Sequence, residues 1–161
     1  MQYPLALSYN KAPGDKILHM TRFACGLGKF SPLKYKPPVE LPDRDFPFIL
    51  TTGRSLYHFH TGTMTRRVAG LNTVEPEGVA EINPADANQL GIVSGQKIKI
   101  ISRRGEVITK AKLTEKSPSG VVYMSFHFAE SAANILTNPA LDPVAKIPEL
   151  KVCAITIEGV K

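Results

Sequence analysis

Apolar and polar positions alternate with a period of two through much of the second half of the chain. In GQKIKIIS (95–102), Ile98 and Ile100 share one face and Lys97 and Lys99 the other, the pattern of a half-buried strand. EVITKAKLT (106–114) repeats it, with Val107, Thr109, Ala111 and Leu113 on one side. Gly105 between the two runs predicts a tight hairpin turn, since glycine tolerates positive φ. Apolar runs at FPFILTT (46–52), VAEI (79–82), GVVYMSF (120–126) and VCAITIE (152–158) predict four further strands. NPADANQLG (83–91) carries strong helix punctuation. Asn83 can cap, Pro84 suits the first helical position, Asp86 favours the positive end of the helix dipole, and Gly91 stops the helix. Short strands, one capped helix and hairpin turns together predict a small, mostly β barrel with inserted loops.

Proline marks where this barrel should begin. Residues 31–47, SPLKYKPPVELPDRDFP, hold Pro32, Pro37, Pro38, Pro42 and Pro47. Each fixes φ and removes an amide donor, so the segment reads as an extended linker or surface-laid arm. Residues 1–30 hold several breakers, including Pro4, Pro13, Gly14, Gly26 and Gly28, and are expected to be weakly ordered. The division expected is an arm and linker over 1–45 and a barrel domain over 46–161.

Composition changes this picture little. Hydrophobic residues make up 43% and charged residues 21%, enough to bury a core and against intrinsic disorder. No stretch approaches the run of about 18 apolar residues that a membrane span needs. The opening MQYPLALSYNKAPGD lacks a basic leader followed by an apolar run, so a signal peptide is not expected. Cys25 and Cys153 lie far apart, which fits neither a disulfide scaffold nor a CxxC metal site and points to a reducing cytoplasm. The formal charge of +6 favours a polyanionic partner such as nucleic acid, an anionic surface or a phosphorylated cofactor. The basic pairs Arg66–Arg67 and Arg103–Arg104 and four strand lysines account for it, and read as solvated strand faces. No nucleic-acid-binding motif accompanies them.

The chemistry concentrates in TTGRSLYHFHTGTMTRR (51–67). A strand running into Thr52-Gly53-Arg54 is suited to a phosphate: glycine lets the backbone approach, amides can donate, and Arg54 offers a planar fork of donors. Ser55, Leu56, Tyr57, His58, Phe59, His60 and Thr61 follow. A solvated loop with one helix cap explains the same residues. His58 and His60 would share a face of an extended chain, but no Cys, Asp or Glu cluster completes a metal site, and hydrogen bonding to ligand or backbone fits them better. MSFHFAESAANILTN (124–138) is a second candidate. Phe126, His127 and Phe128 leave a strand and enter a short helix that carries Asn134, which suits either a ligand contact or a buried, satisfied polar group. Cys153, inside an apolar strand, is expected to be buried and inert. No nucleophile–base arrangement stands out.

Four segments in order, LTTGRSLYHFHTGTMTRRVAGLN, EINPADANQLGI, SRRGEV and FHFAESAANILTNPALDPVAKIPELKVCAI, closely resemble the C-terminal region of formate dehydrogenase large subunits. These belong to the molybdopterin oxidoreductases, with nitrate reductases and formylmethanofuran dehydrogenases as relatives. The resemblance covers about residues 30–158. It implies a double-psi β-barrel that clasps bis(molybdopterin guanine dinucleotide). It implies that Thr52–Thr61 follow the dinucleotide, with Phe126, Asn134 and Lys151 as further contacts. Many relatives carry an aromatic residue where Leu150 stands and an acidic one where Tyr57 stands. The motifs for the iron–sulfur cluster and for the cysteine or selenocysteine on molybdenum or tungsten lie upstream of the matched region. The implied partner is therefore the catalytic iron–sulfur and molybdopterin portion of such an enzyme, and this chain alone would not be catalytic. The equivalent domain of a nitrate reductase or formylmethanofuran dehydrogenase is one alternative, and a barrel binding nucleic acid or a partner protein through its basic face is another on fold alone.

Overall fold

The computed structural model describes Phe23 and residues 25–160. The expectation of weak order over residues 1–30 falls mostly outside these. The chain divides into two compact units, Met1–Lys36 and Pro37–Lys161. In the first, Phe23 and Gly26 exchange backbone hydrogen bonds of 3.0 and 2.9 Å across a turn in which Gly26 has φ +96°.

The second unit is a closed barrel of six strands: β1 Phe48–Gly53, β2 Val79–Ile82, β3 Lys97–Ser102, β4 Gly105–Leu113, β5 Val121–Ser125 and β6 Cys153–Gly159. Around the barrel they run β1-β5-β2-β4-β3-β6. β1 pairs with β5, and β2 with β4, in parallel; the remaining four pairs are antiparallel. Exchanging β1, β2 and β3 for β4, β5 and β6 reproduces every pairing and its direction. The topology is thus two-fold symmetric although the sequence shows no repeat, and it is that of a double-psi β-barrel. Leu50, Ile82, Ile98, Ile100, Val122 and Ile155 fill the centre at 0% exposure. They are the inward positions of the period-two pattern, and closure leaves no unpaired edge.

The helix between β2 and β3, α2 (Pro84–Leu90), follows its punctuation. Asn83 Oδ1 accepts from the Ala85 amide at 2.9 Å, and Gly91 adopts φ 66°. Asp86 does more than face a dipole. It is buried, and its carboxylate accepts from Ser119 Oγ at 2.5 Å and the Gly120 amide at 2.7 Å, which ties α2 to the turn before β5.

Two expectations are corrected. The hairpin joins Ser102 directly opposite Gly105, with Arg103 and Arg104 as the turn residues, and none of the three that follow Ser102 has positive φ. Gly105 is needed for room instead: a Cβ there would lie 2.8 Å from Ile135 Cγ2. The paired arginines are also not a solvated face. Arg104 donates to the Leu136 carbonyl at 2.7 Å and to Glu40, while Arg103 reaches Glu40 and Asp43 and lies over the Phe46 ring at 4.5 Å. Arg66 likewise grips Glu130 through both carboxylate oxygens, at 2.9 and 2.7 Å. Arg66, Arg103 and Arg104, which look like surface charge in sequence, are clamps between distant segments, whereas Arg67 is exposed.

Cys153 is buried at 1% exposure. Burial pushes its thiol up to about 11. The fold therefore favours the protonated thiol, a contribution complete below the ordinary thiol value and lost as pH rises through about 11. Alkylation of the folded chain at about pH 8 is expected to label exposed Cys25 and spare Cys153 until unfolding, because the thiolate is the reactive form. Mass spectrometry after timed labelling checks this, and rapid modification of Cys153 in the folded chain would contradict it.

Candidate functional site

β1 ends at Gly53 beside the C-terminal end of its parallel neighbour β5, with Gly53 in register with Ser125. Both strands release loops at the same end of the barrel. Gly53 is there because Tyr123 needs the space: a Cβ at residue 53 would fall 2.5 Å from Tyr123 Cε2. The Tyr123 hydroxyl donates to the Arg54 carbonyl at 2.9 Å. Burial, then the charges of Glu81 and Glu75, push the Tyr123 phenol above its ordinary value, so it stays protonated and able to donate.

The loop beyond Gly53 is built on buried histidines. His127 accepts from the Ser55 amide through Nε2 at 2.7 Å and donates through Nδ1 to the His60 carbonyl. His58 donates through Nε2 to the Glu75 carbonyl at 2.8 Å, and its Nδ1 lies 3.1 Å from Thr65 Oγ1. Both rings are therefore spent on backbone and neighbouring side chains. Among the described residues no group of three or more His, Cys, Asp or Glu is placed to hold a metal. Thr61 Oγ1 meets Thr63 Oγ1 at 3.0 Å, and Phe59 and His60 pack ring to edge at 4.3 Å. Beyond this loop the chain forms a 3-10 turn, Thr65–Arg67, and a short helix, α1 (Ala69–Val74).

Arg54, Ser55, Leu56 and Tyr57 form one wall of a cleft of about 640 Å³. The other walls come from residues 74–77, from Glu81 and Lys112, and from Tyr123 and Ser125. Lys112 is paired with Glu81 at 2.8 Å and Lys110 with Glu77 at 2.7 Å. Arg54 and Lys116, also on the cleft, have no acidic partner among the described residues. The Leu56 and Tyr57 amides are likewise without a partner among the described residues. An unpaired guanidinium beside free amides, reached by a glycine-ended strand, is the donor set that a phosphate or pyrophosphate requires. Leu56, at 88% exposure, and half-exposed Tyr57 and Phe59 give the same loop an apolar rim.

The remaining candidates are placed unequally. Phe126 sits beneath Arg54, whose guanidinium carbon is 5.9 Å from its ring centroid. Lys151 donates to the Thr52 carbonyl, and Thr52 Oγ1 donates to the Leu150 carbonyl at 2.6 Å, so these two residues brace the end of β1 from the other side. Asn134 is exposed on a 3-10 turn, Ala133–Ile135, not on an α-helix and not buried, and its side chain makes no hydrogen bond among the described residues. It does not line the cleft. The buried polar residue of this segment is Asn138, which donates to the Val152 carbonyl at 2.8 Å and accepts from the Ala140 amide.

Sequence reasoning missed Tyr123 and undervalued His127. An aromatic at an outward strand position next to a glycine-ended parallel strand was the signal for Tyr123. For His127 it was an imidazole between two phenylalanines, at a strand end beside the loop.

Residues 48–154 match the family described as molydopterin dinucleotide binding domain. The chain is 54% identical over 149 residues to the F420-dependent formate dehydrogenase subunit alpha of Methanocaldococcus jannaschii, covering 91% of this chain and 22% of that protein. It is 51% identical over 150 residues to the F420-dependent formate dehydrogenase 1 subunit alpha of Methanococcus maripaludis, covering 92% and 22%. The chain thus spans about a fifth of the length of these relatives. Acetylene hydratase from Pelobacter acetylenicus superposes with a TM-score of 0.68 at 20% identity, over 79% of this chain and 21% of that one, which supports the shared fold.

Proposed function

Because this chain belongs to the molydopterin dinucleotide binding domain family, we propose that it is the C-terminal cofactor-clasping domain of a formate dehydrogenase alpha subunit. The observation that carries this is the wall Arg54–Tyr57, which places an unpaired guanidinium and two free amides on one cleft. In this reading the cofactor is bis(molybdopterin guanine dinucleotide), shared with a catalytic iron–sulfur portion that holds the molybdenum or tungsten. The bound group supplies the redox chemistry of formate oxidation.

The chain's own residues hold and orient the dinucleotide. Arg54 offers two parallel donors to a phosphate, and the Leu56 and Tyr57 amides add two more. Gly53 makes room for the Tyr123 ring that supports the Arg54 carbonyl, and Thr52 and Lys151 keep the strand end in place. Ser55 and Thr61 offer hydroxyls, while the His58 and His60 segment supplies the loop's curvature. Phe126 backs the arginine. Asn134 would contribute from its own turn. The exposed apolar side chains of Leu56, Phe59 and Met64 suit burial against the catalytic portion. The domain proper is taken to run from about Phe46 to Lys161, preceded by the proline-rich arm. No helix among the described residues is long and apolar enough to cross a membrane; a cytoplasmic location is part of the proposal.

Guanosine diphosphate, the soluble end of the dinucleotide, tests the reading against duplex DNA. Titration at two salt concentrations is expected to show nucleotide binding that weakens modestly with salt. DNA binding, if driven by the basic face, would collapse steeply, because each neutralised phosphate steepens the salt dependence. Tighter binding of DNA than of the nucleotide at both salts would overturn the proposal.

A further inference from the structure

His127 is 1% exposed and joins the two ends of one loop. Its Nε2 lies 2.7 Å from the Ser55 amide, and its Nδ1 faces the carbonyl of His60, five residues further on. An amide N–H can only donate, so Nε2 must be bare. A carbonyl can only accept, so Nδ1 must carry the proton. One neutral tautomer satisfies both contacts. An imidazolium keeps the His60 contact and sets a second N–H against that of Ser55. His58 differs. Its partners are the Glu75 carbonyl and the Thr65 hydroxyl, and a hydroxyl can donate or accept, so either protonation state of His58 is satisfied.

The backbone beside His127 is shaped to the same contact. His60 holds φ 50°, a left-handed conformation unusual for a residue with a side chain. Gly62 follows at φ 74°, where a Cβ would lie 3.0 Å from the His127 carbonyl oxygen and 2.8 Å from the Arg66 side chain. The ionisable groups around the ring are His58, at 6.0 Å between centroids, His60, Arg54 over the adjoining Phe126, and Arg66 over Phe128. Glu130, the carboxylate on that side, is committed to Arg66 through both oxygens.

We propose that His127, in its neutral Nδ1–H tautomer, is the positioning residue of the 55–60 loop, holding the Ser55 end where the Leu56 and Tyr57 amides and Arg54 can meet a ligand. The effect on nucleotide affinity rests on the function proposed above; the pin itself does not. Ser55 precedes Leu56 and Tyr57, so releasing it displaces the two free amides and loosens Arg54.

Nuclear magnetic resonance of the nitrogen-15-labelled chain tests it directly. At about pH 7.5 the His127 ring is expected to show a protonated Nδ1 and a bare Nε2, with a coupling across the hydrogen bond between Nε2 and the Ser55 amide nitrogen. His127→Ala, which removes both contacts, should weaken guanosine diphosphate binding at the same pH by about threefold to tenfold, the worth of one hydrogen bond. His127→Gln, which keeps one donor and one acceptor, should recover part of that loss. A protonated Nε2, a missing coupling to the Ser55 amide, or unchanged affinity in His127→Ala would each overturn the proposal. The ring measurement needs only the unaltered chain, so a poorly folding variant does not remove the test. If the nucleotide fails to bind while the coupling to Ser55 is present, the pin stands and the dinucleotide reading falls.

Discussion

Replacing Glu40 with alanine is expected to lower the stability of the barrel unit by about 1.5–3 kcal/mol, the range for hydrogen bonds to a charged group in a partly buried cluster. Glu40 lies in the proline-rich stretch that reads as a linker or a surface-laid arm, and its carboxylate receives Arg103 Nη1 at 2.9 Å, Arg104, and the Ala154 amide at 2.9 Å. Removing it leaves Arg104 with only the Leu136 carbonyl, and leaves an amide of β6 without its acceptor. Burial alone would raise the Glu40 carboxyl. The Arg104 hydrogen bond, the Ala154 amide and the charges of Arg104 and Arg103 together outweigh burial and hold it below its ordinary value. A depressed carboxyl stabilises the fold above its unfolded value and loses that contribution as pH falls through the folded one. Urea unfolding of the unaltered chain should therefore show an acid-dependent loss that Glu40→Ala partly lacks. Unchanged midpoints at neutral pH would show that the arm is not integral to the barrel.

Arg54→Ala is expected to weaken guanosine diphosphate binding by about 1.5–3 kcal/mol, the range for hydrogen bonds to a charged group. The guanidinium is exposed, has no acidic partner among the described residues, and touches only the Phe126 ring at 5.9 Å. Its loss should therefore leave the unfolding midpoint nearly unchanged, since Ile49 and Leu50 hold β1 through its neighbours β5 and β6. Calorimetric titration together with thermal unfolding separates the two effects. A sharp fall in midpoint at constant affinity would make Arg54 structural.

The barrel was legible because alternation is a local property. Ile98 against Lys99, and Ala111 against Lys110 and Lys112, declare the inward face without knowledge of any partner strand. The α2 caps were legible for the same reason: Asn83 and Gly91 act within a few residues of themselves. Partners distant in sequence were not legible. Arg104 and Glu40 are 64 positions apart, and nothing local distinguishes Arg104 from a solvated arginine. The glycine at 105 was read as a turn former because turn chemistry is local, whereas its real constraint, Ile135, comes from 30 residues away. The same limit applied to the site. Arg54 and its neighbours stood out as a dense polar run. Their supports, Tyr123 and His127, sit on β5 and just beyond it, and only the parallel pairing of β1 with β5 brings them under the loop. The two-fold symmetry of the barrel left no trace in the residues, because pairing direction constrains backbone paths more than side-chain identity.

The central claim is that the wall Arg54–Tyr57 receives the phosphates of a guanine dinucleotide, and amide shift mapping with guanosine diphosphate tests it most directly. The account predicts the largest shifts at Arg54, Ser55, Leu56 and Tyr57, with smaller ones across the cleft at Glu75 and Glu77. Shifts confined to the face bearing Lys97, Lys99 and Lys110, with Arg54–Tyr57 unmoved, would contradict it.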